Sequence, residues 1–391
     1  MSIVDLRNIP DGLSPVERCE ERRKRVEGEW GTPLNALRAD PQKLGSAEER
    51  NCEQMIGHVP IPIGIAGPLR VVFSSGESCD IVLPLATTEA ALVASVNRGC
   101  KALTLSDGVR TSSQRIGITR SVCFRISGSN TQATLQKTLE ERSAEWRNIG
   151  EKTSDHLRIT SFDIDAAEDH LFLTLYGDTD KAMGMNMITI AAQAIGDWIV
   201  REIAGMELIT VAGNVDSDKK PSKRTHDRGR GFTVRAETLL SPAIIADVLK
   251  TTPQKLINVA HAKLTLGSKI AGAIGANLHA ANIVAALYLA TGQDAAHVVE
   301  GSLADTNVEK NGDGIAVSVR LPAVLVGVQG GGTALPAQQQ CLNLLCGPKG
   351  KLHPSAKLAE TVGAAVLAGE ISLLAAQASQ SLASSHKKLA R

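Results

Sequence analysis

The polar and apolar positions at the start of the chain predict two different kinds of backbone. Residues 1–52 are rich in charge, and the pattern over 15–30 predicts a helix, so we expect a small N-terminal helical arm. Residues 56–69 instead combine isoleucines with three prolines and three glycines, which predicts an extended, non-helical segment. Because a surface loop does not need isoleucines, we expect this segment to be buried or to lie in an interface.

A strand followed by a helix is predicted next. Residues 80–85 are strand-like, and the small residues of 90–103 predict a helix. Thr87 or Thr88 is the predicted N-cap, with Glu89 in the first turn, where a carboxylate complements the helix dipole. That electrostatic role alone would explain Glu89, so a catalytic role needs support from elsewhere in the chain.

Residues 118–211 predict a separate module. The periodicity predicts four strands and two helices in the order β-α-β-β-α-β, with strands at 118–126, 157–164, 170–176 and 208–211 and helices at 131–146 and 187–203. This order is typical of the ferredoxin-like, split βαβ fold. We therefore expect the module to be inserted into a larger domain formed by 53–117 and 212–391.

The second half of the chain is predicted to be mostly helical. The pattern predicts helices at 241–249, 253–264 and 277–291, a strand pair within 315–326, and one long or two shorter helices at 355–388. The fold class is therefore α+β: a large helix-rich domain, an inserted ferredoxin-like domain and a small N-terminal helical arm.

Composition narrows the function classes. The chain has 391 residues, a net charge of +1 and only 3% aromatic residues, which argues against a nucleic-acid-binding protein. Its seven cysteines form neither a CxxC pair nor a Cys/His cluster with zinc spacing, so we expect reduced thiols and no metal site. The N-terminus lacks the apolar core of a signal peptide, and the apolar run near 280–290 is too short to cross a bilayer. We expect a soluble, cytoplasmic protein without a membrane partner.

Four short segments carry candidate chemistry. The loop at 213–222 places Lys219 and Lys220 among acidic residues, which would suit an anionic substrate and a developing oxyanion, although a solvated charged loop has the same composition. Glu89 is the second candidate. Asp294 follows a helix-ending glycine, where capping alone would explain an aspartate. His386 lies near the C-terminus, where a lone histidine is usually only exposed.

Two glycine-bearing segments resemble ligand-binding loops. Residues 182–187 open a predicted helix, whose backbone N–H groups would suit a phosphate; a methionine-rich core turn is the alternative. Residues 329–336 contain three consecutive glycines, which permit a close backbone approach to a nucleotide or to another chain. Neither segment matches the GxGxxG or P-loop pattern.

Taken together, these segments resemble 3-hydroxy-3-methylglutaryl-coenzyme A (HMG-CoA) reductases of the eukaryote-like class, from about residue 53 to the end of the chain. The matching segments follow one another in the family's order: Glu53-Gln54-Met55-Ile56-Gly57, Ala86-Thr87-Thr88-Glu89, Asn97-Arg98-Gly99-Cys100, Met183-Gly184-Met185-Asn186-Met187, Asp218-Lys219-Lys220-Pro221, His279-Ala280-Ala281-Asn282-Ile283, Gly292-Gln293-Asp294-Ala295-Ala296, the loop 330–333 and Ser385-His386.

The resemblance implies an enzyme that reduces HMG-CoA to mevalonate and CoA with two NAD(P)H, through mevaldyl-CoA and mevaldehyde. It implies four catalytic residues: Glu89, Lys219, Asp294 and His386. Reduction of a thioester carbonyl builds negative charge on oxygen, which Lys219 would stabilise. His386 would protonate the leaving CoA thiolate, and Glu89, its pKa raised by Asp294, would protonate the final alcohol. Asp294 would also hold Lys219 in place.

The resemblance also implies the binding residues and the partners. The substrate-binding residues are Arg120, Asp218, Lys220 and Asn282. The cofactor-binding residues are Ser154, Asp155, Met183, Gly184, Met185, Asn186, Gln293, Gly331, Gly332 and Thr333. The inserted domain would bind the nicotinamide dinucleotide and the large domain HMG-CoA, with active sites at the subunit interface of a homodimer or a higher homo-oligomer.

Several positions depart from the family's pattern. Lys181 stands where aspartate usually precedes Ala-Met-Gly, with Asp180 one residue earlier. Ala212 replaces a usual serine, and Gln54 a usual asparagine. Asp155 lies near the place where relatives that use NADPH carry an arginine for the 2′-phosphate; an aspartate there would instead accept from the ribose hydroxyl of NADH. We expect NADPH from the class resemblance, with NADH as the alternative.

Two other interpretations of the same sequence remain open. The chain could be a non-catalytic paralogue that binds CoA thioesters, as the departures at Lys181 and Ala212 would allow. It could also be the same enzyme acting in the mevalonate-oxidising direction, because a catalyst accelerates both directions.

Overall fold

The N-terminal arm is built from local capping signals. The computed structural model describes residues 5–128, 130–346 and 350–380. The first helix spans Pro15–Trp30, as predicted: Ser14 caps it in a capping box with Glu17, and Gly31 ends it in the left-handed conformation with a φ of 63°. Shorter helices follow, and Cys19 packs with a few apolar side chains from them into a small core of the arm.

The described ranges contain nine strands, arranged as one continuous set of pairings. They are β1 (Ile63–Val72), β2 (Ser78–Ala86), β3 (Val109–Ile126), β4 (Arg158–Ala167), β5 (His170–Asp178), β6 (Met206–Thr210), β7 (Gly231–Leu240), β8 (Asp305–Asn311) and β9 (Gly314–Val324).

The helices in the same ranges are mostly short. They are α1 (Pro15–Trp30), α2 (Pro41–Leu44), α3 (Ala47–Arg50), α4 (Leu92–Thr104), α5 (Gln132–Glu141), α6 (Ser143–Glu151), α7 (Met185–Glu202), α8 (Lys223–Arg228), α9 (Pro242–Asp247), α10 (Pro253–Ala260), α11 (Ser268–Ala271), α12 (Ala280–Thr291), α13 (Val298–Gly301), α14 (Pro336–Cys346) and α15 (Pro354–Ala378). A π-helical stretch, His261–Gly267, continues α10, and single 3₁₀ turns lie at Asn35–Leu37, Ala295–His297 and Gly331–Ala334.

Strand β3 joins two sheets. Its first part pairs with β7 and, in parallel, with β1, within a sheet ordered β2-β1-β3-β7-β9-β8. From Ile118 onward it pairs instead with β5 and β6. Because one strand belongs to both sheets, residues near its middle lie where the two sheets meet.

The second sheet has the ferredoxin-like arrangement that the sequence predicted. Its strands lie in the order β4-β5-β3-β6. Along the chain, α5 and α6 follow β3, and α7 precedes β6. The single helix predicted at 131–146 is wrong in one respect, because it is two helices that meet at Arg142. Arg142 donates to the carbonyl oxygen of Glu202 at 2.9 Å and lies over the Trp198 ring, contacts that a continuous helix would not need.

The large sheet packs on α15, the longest helix described. It is long and apolar enough to cross a membrane by length and composition, but 94% of its most apolar window is buried inside the protein, as in a central core helix. It is longer than the apolar helix α12, which contains the run near 280–290. The predicted helix at 355–388 is thus observed to Ala378, and its final residues lie outside the described part of the chain.

Two features of the elements differ from what the sequence predicted. Strand β7 was overlooked, although its alternating buried and exposed residues have the period of a half-buried strand. The N-cap of α4 is Ala91, with a φ of 70° and no side-chain cap, whereas Thr87 accepts a hydrogen bond from the N–H of Glu89.

The extended segment was expected to be buried or to lie in an interface. Within one chain Val59, Ile61 and Ile63 are exposed, so of the two alternatives the interface stays a prediction.

Candidate active site

The loop between β6 and α8 has an unusual backbone. Asn214, Ser217 and Lys219 have φ values of 68°, 51° and 57°, in the left-handed region that non-glycine residues avoid. Each such residue costs about 1 kcal/mol or more and persists only when its surroundings hold it. The contacts of this loop therefore show which residues the fold uses to position Lys219.

Lys219 is held at both ends. Its Nζ lies 2.8 Å from Oδ2 of Asp294, and its backbone N–H donates to Oε1 of Glu300 at 2.6 Å. The side chains of Lys219 and Asp294 keep 41% and 35% of their surface exposed, whereas Glu300 is fully buried. An ammonium group anchored in this way is fixed in position and still open on one side to a ligand.

Asp294 is positioned by the end of α12. Gly292 ends that helix with a φ of 69°, and Asp294 then caps the following 3₁₀ turn by accepting from the N–H of Ala296 at 3.0 Å. Burial raises the pKa of Asp294, but the hydrogen bonds from Lys219 and Ala296 outweigh it, so this pKa lies below the ordinary 3.8. Asp294 is therefore an ionised anchor at neutral pH. Capping and lysine binding, the two roles that the sequence suggested, are both present.

Arg230 was missed from the sequence. It is 1% exposed, and its Nη1 donates to Oε1 of Glu300 at 2.7 Å while its Nη2 lies 3.0 Å from Oδ1 of Asp218. It also donates from Nε to Oγ1 of Thr119 at 2.7 Å and contacts the sulfur of Met185 at 3.2 Å. One buried guanidinium thus links the middle of β3, the start of α7 and the Lys219 loop.

Arg120 holds the other side of the same loop. Its Nη1 lies 3.5 Å from Asp216 and 3.7 Å from Asp218, and it donates to Oγ1 of Thr189 at 2.9 and 3.0 Å. Burial raises the pKa of Asp216 above its ordinary value, although Arg230 and Arg120 act against it. Two residues predicted to bind substrate, Arg120 and Asp218, are therefore engaged with the loop itself.

Glu300 and His297 are two further residues that the sequence did not single out. His297 is fully buried, with Nε2 3.7 Å from Oδ2 of Asp294 and Nδ1 3.4 Å from Oε1 of Glu300. Its only sequence signal was its place in the turn that Asp294 caps. The acidic and basic groups around Lys219 thus form one cluster, called here the Lys219 cluster: Arg120, Asp216, Asp218, Lys219, Arg230, Asp294, His297 and Glu300.

The other predicted catalytic and substrate-binding residues are placed differently. Glu89 is exposed, and no hydrogen bond or ion pair within the described residues joins its carboxylate to the Lys219 cluster. Lys220 is exposed and donates from Nζ to the carbonyl oxygen of Asp218 at 3.1 Å. Asn282 lies half-buried in the first turn of α12. His386 lies outside the residues that the structure describes.

The predicted dinucleotide loop opens α7. Gly184 is the N-cap with a φ of 95°, and a Cβ there would lie 2.3 Å from the Thr179 side chain, so this position requires glycine. No side chain among the described residues caps the helix, which leaves its first backbone N–H groups available to an anion. Met183 and Met185 pack partly buried against the small domain's core, and Asn186 is exposed.

The triple-glycine loop packs against the turn that carries Asp294. A Cβ on Gly332 would lie 2.7 Å from the carbonyl oxygen of Gly292, so the two backbones touch. Gly331 and Thr333 form the adjoining 3₁₀ turn, in which Thr333 donates to the carbonyl oxygen of Gly330 at 2.6 Å. In this chain, therefore, the loop supports the Asp294 turn.

Gln293, another predicted cofactor residue, connects this region to the dinucleotide loop. Its amide accepts from the N–H of Gly327 at 2.9 Å and donates to the carbonyl oxygen of the same residue at 3.0 Å. Gly327 in turn lies against the backbone N–H of Met183. The side chain of Gln293 thus holds the segment against which the dinucleotide loop rests.

Ser154 and Asp155 lie beside a cavity of about 610 Å³ at the junction of the two sheets, and Asp155 lines it. The cavity also exposes four basic side chains, which are Arg115, His156, Arg158 and His353. Ser154 lies at its edge, where its hydroxyl accepts from the N–H of His156 at 3.3 Å. Its volume lies within the range of about 300–1,000 Å³ that is typical of small-ligand sites.

The departures from the family pattern are all visible in the structure. Asp180 accepts from Nε2 of His353 at 3.0 Å, a bond that lowers the pKa of Asp180, and it lines the same cavity. The side chain of Lys181 is exposed, while its carbonyl oxygen accepts from the N–H of Val328 at 2.8 Å. Ala212 and Gln54 are both exposed.

Comparisons with known proteins agree on one family. A family profile described as hydroxymethylglutaryl-coenzyme A reductase matches residues 18–391. A 3-hydroxy-3-methylglutaryl-coenzyme A reductase of Halobacterium salinarum is 39% identical over 91% of this chain and 88% of the relative. The corresponding enzyme of Aeropyrum pernix is 40% identical over 95% and 89%, and reductase 2 of Dictyostelium discoideum is 40% identical over 86% and 65%.

Solved structures agree on the fold. A class II 3-hydroxy-3-methylglutaryl-CoA reductase from Streptococcus pneumoniae, solved bound to NADPH in open conformations, superposes with a TM-score of 0.66 at 15% identity. The superposition covers 92% of this chain and 96% of the other. At that identity the likeness supports the α+β architecture alone.

Proposed function

The chain belongs to the hydroxymethylglutaryl-coenzyme A reductase family, and from this premise we propose how its own residues carry out the reaction. It is an oxidoreductase that reduces HMG-CoA in the mevalonate pathway. The proposed reaction is a four-electron reduction to mevalonate and CoA in two hydride transfers, through mevaldyl-CoA and mevaldehyde.

The observation that carries the proposal is the anchoring of Lys219. Each reduction builds negative charge on a carbonyl oxygen, and a fixed ammonium group stabilises such charge without having to reorganise. Asp294 holds Nζ at 2.8 Å and Glu300 holds the backbone at 2.6 Å, so the side chain is positioned before substrate arrives. Lys219 is therefore assigned to the reacting oxygen.

Proton transfer is assigned to Glu89 and His386. Glu89 donates the proton of the final alcohol, and His386 protonates the CoA thiolate that leaves in the first stage. The backbone that precedes the exposed Glu89 lies beside the exposed isoleucine segment, since the N–H of Thr87 donates to the carbonyl oxygen of Pro62 at 2.9 Å. In the proposed homodimer this segment meets a partner subunit, and Glu89 completes the partner's Lys219 cluster.

The two main domains are assigned to the two ligands. Residues 118–211 bind the dinucleotide, and 53–117 with 212–391 bind HMG-CoA and form the dimer contact, while 1–52 form the arm. Among the substrate residues, the exposed Lys220 and the half-buried Asn282 are assigned to the HMG carboxylate. Arg120 and Asp218 contribute by holding the Lys219 loop, in line with their ion pairs.

The described residues fit a nicotinamide dinucleotide. The uncapped start of α7 suits its pyrophosphate, and the 610 Å³ cavity beside Asp155 is large enough for its adenosine end. When bound, the dinucleotide supplies the hydride. We assign NADPH, since Arg115 and Arg158 line the cavity and the class resemblance favours it. NADH is the alternative that Asp155 supports.

The chain is assigned to the eukaryote-like class. Its identity to the Dictyostelium relative is 40%, whereas its identity to the class II enzyme of S. pneumoniae is 15%. The Asp218-Lys219-Lys220-Pro221 loop supports the same assignment.

A spectrophotometric assay with HMG-CoA and either NADPH or NADH tests the function. We expect cofactor oxidation by the wild-type chain and a loss of about 100-fold or more in Lys219→Ala. Binding of HMG-CoA without turnover would instead indicate the non-catalytic paralogue. The reverse reaction is assayed with mevalonate, CoA and oxidised cofactor. A reverse rate that exceeds the forward rate near neutral pH would indicate the catabolic direction.

The cofactor assignment has a separate test in Asp155→Arg. If NADPH is the native cofactor and Asp155 only weakens its binding, the variant lowers KM for NADPH and leaves KM for NADH nearly unchanged. A wild-type chain whose kcat/KM is higher with NADH, and which loses that preference in the variant, would reverse the assignment.

A further inference from the structure

The Lys219 cluster carries more negative than positive charge. Its four carboxylates are Asp216, Asp218, Asp294 and Glu300, and its three permanent cations are Arg120, Lys219 and Arg230. Four against three leaves one uncompensated negative charge. Such a charge is expensive to bury, and it is usually removed by protonation or by a further cation.

His297 is the remaining titratable side chain of the cluster. It is fully buried, and neither ring nitrogen makes a hydrogen bond to any described residue. A polar ring buried with both nitrogens unpaired costs about 1–3 kcal/mol for each unsatisfied group. Its nitrogens nevertheless lie 3.4 Å from Oε1 of Glu300 and 3.7 Å from Oδ2 of Asp294, so a shift of a few tenths of an ångström would close both contacts.

The groups that face His297 are mostly acidic. Asp294 and Glu300 lie closest, and Asp218 offers a carboxylate oxygen within 4.8 Å of the ring and of Glu300. Lys219 and Arg230 bind the same carboxylates. The buried hydroxyl of Tyr288 lies on the α12 side; burial raises the pKa of Tyr288, and Glu300 raises it further. The ring therefore lies among three carboxylates. It faces the oxygen of Glu300 that also binds Arg230 and the backbone of Lys219, and the oxygen of Asp294 that also binds Nζ of Lys219.

We propose that His297 is a positioning residue that supplies the missing charge as an imidazolium, donating from Nδ1 to Glu300 and from Nε2 to Asp294. This proposal rests on the assignment of Lys219 to the reacting oxygen. Glu300 anchors the backbone of Lys219 and Asp294 anchors its ammonium group. A doubly protonated ring donates to both anchors at once, whereas a neutral imidazole carries only one N–H donor.

The proposal gives His297 a different role from that of the proton donors. The ring is fully buried, and the carboxylates nearest to it within the described residues are the two anchors of Lys219, so it acts through them. A nearby positive charge favours the ionised form of Asp294. Loss of that charge should therefore weaken the reaction at low pH first, where Asp294 begins to take up a proton.

The first test reads the protonation state directly. Full-length wild-type protein with ¹⁵N-labelled histidine is measured by NMR at neutral pH, and His297→Gln, or His297→Asn if the first does not fold, assigns the signal. We expect both ring nitrogens to be protonated. A neutral ring, with one protonated and one bare nitrogen, overturns the proposal. The uncompensated negative charge of the cluster would then be removed by protonation of Asp216.

The second test separates positioning from a merely structural role. In His297→Gln we expect kcat to fall about tenfold, with KM for HMG-CoA within about twofold. We also expect the acid limb of the kcat/KM profile to move up by about one pH unit, because Asp294 loses a neighbouring cation. A profile that superposes on the wild type overturns the proposal.

His226→Gln is the matched control, since it removes another histidine that contacts a carboxylate, Asp305, at 2.8 Å outside the cluster. We expect it to leave the profile in place. Failure of the proposed function would appear differently, as a wild-type chain without turnover. The NMR result would then still decide the charge of His297.

Discussion

Replacing Asp294 by asparagine separates the stability of the Lys219 cluster from its chemistry. The change removes one charge and keeps an oxygen that can accept from the N–H of Ala296, so the cap of the following turn survives. The ion pair that is lost joins Nζ of Lys219 to Oδ2 at 2.8 Å, with 41% and 35% of the two side chains exposed. Because solvent screens a pair as open as this, its loss should cost no more than about 1 kcal/mol of unfolding free energy.

The effect on catalysis should be far larger. Without Asp294 the ammonium group of Lys219 has no fixed partner, and a group that stabilises developing charge acts only when it is held in place. Removal of one such preorganised interaction typically lowers kcat by about 10²–10³. We therefore expect a small shift in Tm together with a loss of kcat of at least about 100-fold.

The assay follows cofactor absorbance at saturating HMG-CoA and measures Tm on the same preparation. Asp80→Asn is the matched control, because it breaks an ion pair of similar length, 2.9 Å to Arg70, with 45% of both side chains exposed. We expect the control to shift Tm comparably and to leave kcat unchanged. Asp294→Asn with kcat within twofold of the wild type, or an equal loss in Asp80→Asn, would refute this reasoning.

Four further predictions concern other parts of the molecule. Arg230→Met should lower the unfolding free energy by about 3–5 kcal/mol in denaturant titrations, because it strands a buried carboxylate, and adding Glu300→Gln should recover part of that loss; no recovery would contradict the pairing. Gly184→Ala should cost about 2 kcal/mol or more and weaken dinucleotide binding in titration calorimetry, because of its positive φ and the clash of a Cβ; a wild-type Tm would contradict it. Deletion of His386–Arg391 should lower thioester reduction about 100-fold or more and mevaldehyde reduction much less, with equal losses counting against the assigned role. In the wild-type pH profile, Asp294 should stay ionised and hold Lys219 until the pH falls below 3.8, because the pKa of Asp294 is lowered. If activity and the Lys219–Asp294 ion pair are both lost well above that pH, the prediction is contradicted.

Local sequence determined the elements whose signals lie within a few residues. Ser14 and Glu17 form the capping box of α1, and Gly31 ends that helix, because capping depends on side chains three or four positions apart. The same holds for the turn at Asp294, where the sequence predicted both the helix end at Gly292 and the cap formed by Asp294. The ferredoxin-like order also followed from local periodicity, since it is a succession of short elements.

Other features needed the assembled fold. The sequence alone did not show that the segment with Ile61 and Ile63 stays exposed in one chain, because its apolar character fits a core and an interface equally well. Strand β7 was overlooked despite its alternation, and its place as a central strand depends on pairing with β3 and β9, which are distant in sequence. Nor does any local pattern place the carboxylate of Glu89 relative to Lys219.

Of the candidate site, the sequence by itself singled out Lys219 and Asp294 as candidates, because both stand in short motifs. Only the tertiary structure decided what holds them. Glu300 contacts both Lys219 and Arg230, from which it is 81 and 70 residues distant along the chain. His297 lies beside Glu300 and Asp294 in the buried interior. The physical reason is that burial and charge pairing over such distances depend on how strands and helices pack, whereas caps and turns are set by neighbouring residues.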